Sequence, residues 1–510
     1  MGIKLQSIAE SGLRGVLVDV ECQLTKGLPS IVIVGFANKA VDEAKERIRG
    51  AFINSQLTLP RKRITINLAP ADMPKDSTSF DLAIATSIML SAGLCKETVP
   101  ANHILIGELA LDGTVRPVRG IIGKLLAARQ LGINHFFIPA VNLAQASLVP
   151  DITLFSVDSL RDVYLHLNSA VPIKSAKLNQ KFSLKKSGKT INDFKHVVGQ
   201  NRAKRALEIA AAGGHNVLLN GPPGMGKSML AKALPSILPA MTKEEMLEVT
   251  HLHSLASKNY DVIVTERPFR APHHSASDTS VIGGGQNPRP GEISLSHRGV
   301  LFLDEFPEFH RPSIEALRQP LEDRIITVAR AKDTIEFPAH FMLVATANPC
   351  PCGYYGVANK NCVCLPHQIL QYRRKLSGPI MDRIDMYVDV DEIVHKKLLT
   401  DESQEPSSVI AQRVNFARNK QLGRYGNSRK TNGDMTNQEI KKLALLSPPA
   451  QELLNQAAEK LQISARNYMR SIKIARTIAD IENSEYIETS HMSEALQYRK
   501  RPASLEPGIF

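Results

Sequence analysis

The sequence predicts an α/β protein of several domains. Its 510 residues are enough for two to four domains that each bury their own core. Strand-like and helix-like runs alternate along residues 1–167. Further along the chain, a glycine-rich stretch at residues 221–228 follows a short apolar run that is suited to a buried strand. These observations indicate an α/β core that presents a phosphate-binding loop, preceded by a separate α/β domain.

The first α/β domain is predicted to span residues 1–167. Its strands are expected at 31–34, 64–68, 103–106 and 135–138, and its helices at 41–52 and 80–94. Residues 168–192 are rich in lysine and show little periodicity, which predicts a basic linker. A solvated spacer is favoured there over a dedicated nucleic-acid contact.

The charge balance favours a polyanionic partner. The chain has 63 Lys and Arg residues against 50 Asp and Glu residues, a formal net charge of +13. A basic solvated surface is the alternative explanation. Trp is absent and aromatic residues make up 5% of the chain, so a nucleic-acid partner would be bound mainly through its phosphates rather than by base stacking. The sequence contains no apolar stretch of membrane-spanning length and does not start like a signal peptide, so we expect a cytoplasmic protein with no membrane contact.

The phosphate-binding stretch fits the pattern G-x-x-x-x-G-K-[ST]. Its residues, with the one that follows, are Gly221, Pro222, Pro223, Gly224, Met225, Gly226, Lys227, Ser228 and Met229. Glycines let backbone N–H groups point inward around a polyphosphate, and the helix that opens at Lys227 adds the positive end of its dipole. Lys227 would contact the β- and γ-phosphates of ATP, and Ser228 would hold Mg²⁺.

Two acids follow an apolar run at residues 301–303. Asp304 would hold Mg²⁺ through water or Ser228, and Glu305 would polarise the attacking water. An ordinary strand end is the alternative, which the phosphate-binding pattern upstream makes less favoured. The sequence therefore predicts a hydrolytic Mg²⁺–ATP site.

Four of the six cysteines form two C-x-C pairs. Cys350, Cys352, Cys362 and Cys364 match a closed tetrahedral Zn²⁺ site, which we favour over four unligated thiols. His367 is a less favoured fourth ligand. Lys360 lies between the pairs, and Arg373 and Arg374 follow them, so this loop is expected to present a basic surface to DNA.

Several segments resemble AAA+ ATPases. Residues 193–200, together with the phosphate loop, resemble the adenine-flanking box, which implies that Gly199 and Gln200 lie at the nucleotide. By the same resemblance, Asn348 is the first sensor and Arg466 the second, and both act at the γ-phosphate. The alternatives are a turn residue for Asn348 and a surface position for Arg466, which follows the candidate N-cap Ser464.

Residues 378–385 contain an Asp-Arg-Ile-Asp segment that resembles the arginine-finger segment of one AAA+ branch. The resemblance implies that Arg383 reaches the γ-phosphate of the neighbouring subunit. An Arg383–Asp385 ion pair within the chain is the alternative.

Two inserts indicate which branch of AAA+ proteins this is. The glycine-rich loop at 282–293 and two predicted strands at 324–337 resemble the helix-two insert and pre-sensor hairpin shared by magnesium-chelatase motor subunits and MCM helicases. In a ring such hairpins face the pore, where Arg330 and Lys332 would contact a phosphate backbone, a solvated tip being the alternative. His273 and His274 are expected to be structural rather than metal ligands, because neighbours on an extended segment point to opposite faces.

Segments of the first domain, at 74–81, 107–113 and 120–128, resemble the proteolytic domain of Lon proteases. The resemblance places Ser79 at the nucleophile and Lys124 at the lysine that activates it. Phe80 and Asp81 replace the small residues that surround the Lon serine, and they leave little room for substrate. We therefore expect a Lon-like scaffold or DNA-handling module rather than an active protease.

The order of all these segments resembles the ComM/YifB family of magnesium-chelatase-like ATPases. The resemblance implies a Lon-like domain at 1–167, a basic linker at 168–192, an AAA+ core at 193–392 and a helical lid at 393–510. It also implies a homo-hexameric motor that acts on single-stranded and branched DNA and promotes branch migration of transforming DNA. A chelatase-like motor or chaperone with a protein partner, and an ATP-dependent Ser–Lys protease, are the alternatives.

Overall fold

The computed structural model describes residues 3–11, 14–35, 39–70, 78–176, 192–257, 260, 262–285, 288–329, 334–357, 360–375, 378–390 and 404–499. The chain divides into two compact units. The first unit comprises Met1–Lys186, Thr242–Thr265 and Ala329–Glu336, and the second comprises Ser187–Met241, Glu266–Val328 and Phe337–Phe510. The boundaries expected from the sequence stay predictions.

The described strands alternate with helices along most of the chain. In chain order the strands are β1 (Ile3–Ser11), β2 (Arg14–Thr25), β3 (Ser30–Val34), β4 (Arg63–Ala69), β5 (His103–Leu105), β6 (Glu108–Leu109), β7 (Val115–Arg116), β8 (His135–Pro139), β9 (Thr153–Val157), β10 (Val217–Asn220), β11 (Phe269–Arg270), β12 (Gly283–Gly284), β13 (Arg289–Pro290), β14 (Val300–Leu303), β15 (Ile325–Ala329), β16 (Thr334–Pro338), β17 (Met342–Ala347) and β18 (Met386–Asp389).

The α-helices in chain order are α1 (Lys39–Asn54), α2 (Asp81–Ser91), α3 (Ile121–Gln130), α4 (Leu143–Ala146), α5 (Leu160–Leu167), α6 (Asn201–Gly213), α7 (Lys227–Ala233), α8 (Lys243–Ala256), α9 (Asp278–Ile282), α10 (Glu292–Leu295), α11 (Arg311–Ala316), α12 (Arg318–Asp323), α13 (Pro366–Lys375), α14 (Ser407–Tyr425), α15 (Asn437–Leu443), α16 (Pro448–Lys460), α17 (Ala465–Ile481) and α18 (Thr489–Gln497). Among the helices that the structure describes, none combines the length and apolar composition that a membrane crossing needs.

The first unit is built on a seven-stranded sheet with the order β3-β4-β2-β1-β5-β8-β9. Successive side chains of a strand point to opposite faces, and here each face has its own apolar cluster. Phe137 packs with α1, α2 and α5, whereas Phe136 packs with α3 and α4. The predicted strands and helices of this region are confirmed with small shifts of their ends. The antiparallel pair β1 and β2 was not predicted, although Val18, Val20 and Cys22 alternate with polar residues as half-buried strands do.

The second unit contains a parallel five-stranded sheet with the order β11-β14-β17-β10-β18. Of the five strands of this sheet, β17 is the fourth in chain order, yet it lies between β10 and β14 and pairs with both. Its six residues are all buried, as a central parallel strand requires. The carboxyl ends of these three strands therefore lie side by side.

Five helices, α14 to α18, follow the sheet and share one apolar cluster with β10, β14, β17, β18 and α6. Helix α17 begins as predicted, because the Ser464 side chain accepts a hydrogen bond from the Asn467 N–H. The predicted pair of strands around the basic turn is confirmed as β15 and β16, which form a two-stranded sheet.

We expect His215 to make the stability of the second unit depend on pH. It is 1% exposed directly before β10, and its Nε2 lies 2.8 Å from the Thr477 Oγ1 of α17. Burial lowers the pKa of His215 to about 4, below the value of about 6.5 of an unfolded chain. Because the folded pKa is depressed, the neutral imidazole stabilises the fold fully above about pH 6.5, and this contribution is lost as the pH falls towards about 4.

We therefore expect the free energy of unfolding to fall by about 2 kcal/mol through His215 alone between about pH 7 and pH 5. Urea titrations followed by circular dichroism measure this change. The His215→Gln variant is the control, because its amide does not titrate, and its pH dependence should be smaller by that amount. Identical pH dependence in both proteins would show that His215 does not titrate on unfolding.

Candidate functional site

The topology of the parallel sheet brings three chemically distinct segments together. The phosphate loop follows β10, the acids Asp304 and Glu305 follow β14, and Asn348 follows β17. In the register of the sheet, Leu219 pairs with Thr346 and Leu303 pairs with Ala345. The structure thus places these predicted residues beside one another at the carboxyl ends of three neighbouring strands, where ligands of open α/β folds bind.

The phosphate loop adopts a conformation that depends on its glycines. Gly224 and Gly226 have φ values of +82° and +81°, a region that disfavours other residues. Met225 lies between these glycines. Met229 lies in the first turn of α7 and is 51% exposed. The first turn of α7 therefore opens directly from the loop, with its N–H groups available to an anion.

The Lys227 side chain is largely buried against the backbone of the phosphate loop. Its Nζ donates to the Pro222 carbonyl at 2.8 Å and to the Gly221 carbonyl, and it also donates to Asn348 Oδ1 at 2.9 Å. Burial lowers the pKa of Lys227 to about 8, while Asp304 and Glu305 oppose that shift. The oxygens that accept hydrogen bonds from Lys227 are all neutral, and a polyphosphate would supply a negatively charged partner for its ammonium group.

Asp304 is held by hydroxyl groups from two neighbouring segments. Ser228 Oγ donates to Asp304 Oδ2 at 2.8 Å, and Thr346 Oγ1 donates to Asp304 Oδ1 at 2.6 Å. A serine hydroxyl and a carboxylate are oxygen ligands of the kind that Mg²⁺ prefers, so this pair fits the predicted ion. Sequence reasoning missed Thr346, although a hydroxyl inside an apolar buried run was a usable signal.

Glu305 has an unusual backbone conformation. Its φ is +52°, which is uncommon for a residue other than glycine, and its N–H donates to Thr346 Oγ1 at 2.9 Å. Strain of this kind persists where the surroundings fix the backbone, and it is common at active sites. The Glu305 side chain is 52% exposed, so its carboxylate is accessible to water.

His274 lies beside that carboxylate, with Nδ1 3.7 Å from Glu305 Oε2. The expectation that His273 and His274 point to opposite faces is wrong, because the chain turns here and their ring centroids are 4.1 Å apart. The two histidines are absent from the one metal-binding group found among the described residues.

One of the two predicted adenine-flanking residues, Gln200, contacts the phosphate loop. Gln200 Nε2 donates to the Met225 carbonyl at 3.4 Å. Gly199 and Gln200 have φ values of +66° and +55°, and α6 begins at the next residue. The Gln200 contact therefore connects the residue before α6 to the loop.

Arg383 and Arg466 meet on one carboxylate. The Arg383 guanidinium lies 2.6 Å from Glu322 Oε1, and the Arg466 guanidinium lies 2.5 Å from the same oxygen. Both hydrogen bonds hold the pKa of Glu322 below its usual range. Asp385, the partner considered for Arg383, pairs instead with Arg470 at 3.3 Å. Sequence reasoning missed Glu322, which lies 144 positions before Arg466.

The two arginines line a cavity of about 430 Å³ in the second unit. Arg324, Arg470 and Lys473 also line it, and no residue of the phosphate loop does. Five cationic side chains and one carboxylate, that of Asp385, line this cavity, which makes it suitable for an anion. Within the part of the chain that the structure describes, the predicted finger and second sensor are thus close to each other but do not contact the chain's own phosphate loop.

The four clustered cysteines converge as their spacing predicts. Their Sγ atoms all lie within 4.8 Å of one another, and three of the pairs are 3.4, 3.5 and 3.7 Å apart. Zn–S bonds of about 2.3 Å in a tetrahedron put sulfur atoms about 3.8 Å apart, so the donor set fits Zn²⁺ closely. His367 is not part of this group.

The predicted DNA-contacting residues divide into two sets. Lys360 and Arg374 are exposed, while Arg373 is half-buried with its guanidinium 5.0 Å from the centroid of the Tyr355 ring. The Lys360 ammonium lies 4.7 Å from the Tyr354 centroid. Arg330 and Lys332 lie outside the described residues.

The Lon-like residues of the first unit are almost inaccessible. Ser79 is 1% exposed and Lys124 is 2% exposed, with its Nζ donating to the Arg119 carbonyl at 2.9 Å. Phe80 is buried in the apolar core. Asp81 pairs with Arg47 at 2.7 Å, and burial raises its pKa to about 6. Ser79 is thus followed by two residues that the core uses, and a polypeptide cannot reach its hydroxyl in this conformation.

Comparisons with known proteins cover nearly the whole chain. Residues 193–398 match the family described as magnesium chelatase, subunit ChlI; residues 20–142 match subunit ChlI of Mg-chelatase; and residues 404–499 match the ChlI C-terminal family. The competence protein ComM of Haemophilus influenzae is 42% identical over 501 residues, which covers 97% of this chain and 96% of that protein. The protein YifB of Salmonella typhimurium is 39% identical, with 96% of each chain covered.

The first domain has a second similarity. The Lon protease of Mycolicibacterium smegmatis is 27% identical over 157 residues, which covers 30% of this chain and 20% of the protease. Together with the parallel sheet of the second unit, these matches confirm the predicted fold class. The chain belongs to the ComM/YifB family of magnesium-chelatase-like AAA+ ATPases, with a Lon-like α/β domain before the ATPase core.

Proposed function

We propose that this protein is a Mg²⁺-dependent ATPase that works as a hexameric DNA translocase and promotes branch migration of incoming DNA in the cytoplasm. The observation that carries the proposal is the sharing of Glu322 by Arg383 and Arg466, away from the phosphate loop of the same chain. Two cations placed in this way are useful to ATP hydrolysis if they serve a neighbouring subunit.

In the proposed reaction each residue of the nucleotide site has a separate role. Lys227 and the loop N–H groups bind the phosphates, and Asn348 and Glu305 orient the attacking water. Ser228 and Asp304 hold Mg²⁺, which would neutralise charge on the β- and γ-phosphates. The hydrogen bond from Lys227 to Asn348 supports this assignment, because it places both side chains beside the loop that receives the phosphates.

Ring assembly follows from the position of the arginines. A hydrolytic site that needs Arg383 and Arg466 from a second chain is complete only at an interface between subunits. A closed ring gives every phosphate loop such a neighbour, whereas an open dimer leaves one site incomplete.

The basic surface near the cysteines supports DNA as the partner. Lys360 lies between the two cysteine pairs, and the Arg373 guanidinium lies 5.0 Å from the centroid of the Tyr355 ring in the same loop, which the proposed zinc site would hold in a fixed shape. Arg374 is the next residue in the chain. Arg330 and Lys332 are proposed as further phosphate contacts. The net charge of +13 agrees with a polyanionic partner, and the name of the Haemophilus relative, a competence protein, connects the proposal to natural transformation.

The family name also supports a second candidate, a chelatase-like motor or chaperone that acts on a protein partner. Such a motor would hydrolyse ATP without responding to DNA. An ATP-dependent protease is disfavoured, because Ser79 is 1% exposed.

The proposal is tested by ATP hydrolysis of the purified protein without DNA, with single-stranded DNA and with a branched junction. We expect both DNA forms to stimulate hydrolysis, and the double substitution Lys360→Glu with Arg374→Glu to weaken this stimulation, because reversed charges repel phosphates. The matched control is Lys460→Glu, which reverses an exposed charge at the end of α16. Hydrolysis that ignores every DNA would favour the chelatase-like motor instead.

A further inference from the structure

We propose that the cysteine loop, residues 350–364, is a positioning element of the nucleotide site, so that its metal controls how tightly the protein binds ATP. The inference rests on the proposed ATP and zinc sites but not on the DNA activity. It starts from where the loop is attached and what it contacts among the described residues.

The cysteine loop begins two residues after Asn348. Cys350 is fully buried, and its Sγ accepts a hydrogen bond from the Tyr355 N–H at 3.3 Å. The second pair is joined to the first, because the Cys352 N–H donates to Cys364 Sγ at 3.3 Å. The backbone that leaves the first sensor is thus continuous with the metal-binding cluster.

A second contact reaches the phosphate loop itself. Gly353, in the turn between the cysteine pairs, is so close to Pro223 that a Cβ at this glycine would lie 2.5 Å from Pro223 Cδ. A separation below 3.0 Å forces one of the two backbones to move, because the proline ring has no flexible end that could give way. The cysteine loop therefore supports the outer side of the phosphate loop.

A third contact comes from the helix that follows the cysteines. Tyr372 of α13 is 4% exposed, and its hydroxyl lies near the backbone of Asn348. Burial raises the pKa of Tyr372 to about 12, so the hydroxyl remains neutral at physiological pH. Asn348 in turn accepts the hydrogen bond from Lys227.

These contacts connect the metal cluster to both halves of the nucleotide site. Four thiolates on one ion would hold the turn at Gly353 and the end of β17 in fixed positions, because metal binding and local folding share one free energy. Without the ion, the contacts that join the two C-x-C pairs in the described part of the chain are weak hydrogen bonds to sulfur. Pro223 and Asn348 would then lose their support, and ATP affinity would fall.

Two glycines of the loop provide a matched test. Gly353 has a φ of +86° and Gly356 a φ of +74°, so alanine is strained at both positions to a similar degree. A Cβ at Gly353 meets Pro223, whereas a Cβ at Gly356 has no atom of the described residues within 4 Å. The two substitutions differ mainly in the contact that the inference needs.

We expect Gly353→Ala to weaken the binding of a fluorescent ATP analogue by about tenfold, since small displacements of binding groups have large effects. Gly356→Ala should bind within about twofold of the wild-type protein. Zinc content, measured by absorption spectroscopy, should be one ion per chain in both variants. Equal affinity of the two variants for the analogue would overturn the inference.

A second measurement needs no substitution. Removing zinc from the wild-type protein with a chelator should weaken analogue binding by a similar factor, and added zinc should restore it. Unchanged affinity after complete removal would also overturn the inference. Because these assays contain no DNA, their failure is distinguishable from failure of the proposed DNA activity.

Discussion

Replacement of Glu305 by glutamine is expected to lower the ATP hydrolysis rate by about 10²–10⁴-fold while ATP still binds. The Glu305 backbone is held in a left-handed conformation, with its N–H fixed by Thr346. Its carboxylate is exposed and close enough to Lys227 to act on the charge of that side chain. An amide has nearly the same shape, but it is a much weaker base towards water. Single-turnover hydrolysis and equilibrium binding of an ATP analogue separate the two effects.

The control for this variant is Glu308→Gln, which makes the same chemical change three residues further along, at another exposed carboxylate. It should hydrolyse ATP at the wild-type rate. If Glu305→Gln and Glu308→Gln were equally active, Glu305 would not be the residue that activates water.

The Arg383→Ala variant is expected to lose at least about 10³-fold in hydrolysis and to regain activity when mixed with Lys227→Ala. Each variant alone lacks one half of every site. In mixed rings, a Lys227→Ala subunit still supplies its arginine to the intact phosphate loop of an Arg383→Ala neighbour. Random mixing in equal amounts makes about a quarter of the interfaces complete.

The control for the mixing experiment is the double variant Lys227→Ala with Arg383→Ala, which should restore nothing when it is mixed with Arg383→Ala. Light scattering establishes that each variant still assembles. Wild-type hydrolysis by Arg383→Ala alone, or no recovery in rings that exchange subunits, would mean that Arg383 does not act on a neighbour. Glu322 would then be a purely structural partner of this arginine.

The sequence predicts the parts of the site that are local in the chain. The spacing of glycine, lysine and serine from Gly221 to Ser228 is enough to predict a phosphate-binding loop. Asp304 and Asn348 each follow an apolar run that predicts a buried strand. The fold then brings them together because β17 inserts between β10 and β14. No local pattern could show this neighbourhood, although the order of the segments was compatible with it.

Contacts between segments that are distant in the chain could not be predicted from the sequence. The sharing of Glu322 by two arginines and the approach of Gly353 to Pro223 depend on tertiary packing. The turn that brings His273 and His274 together was also missed, since two neighbouring histidines read equally well as an extended segment. The strands β1 and β2 are different, because their alternation was visible and was not used.

The position of β17 also constrains how the protein is made. Val217 of β10 pairs with Val344 of β17, so β10 lacks this neighbouring strand until more than a hundred further residues have left the ribosome. Until then the phosphate loop projects from a strand whose N–H and C=O groups on that side are unpaired. Such an edge is prone to pairing with other chains. Synthesis of this protein therefore includes a period in which the phosphate loop follows a strand whose sheet partners have not yet been made.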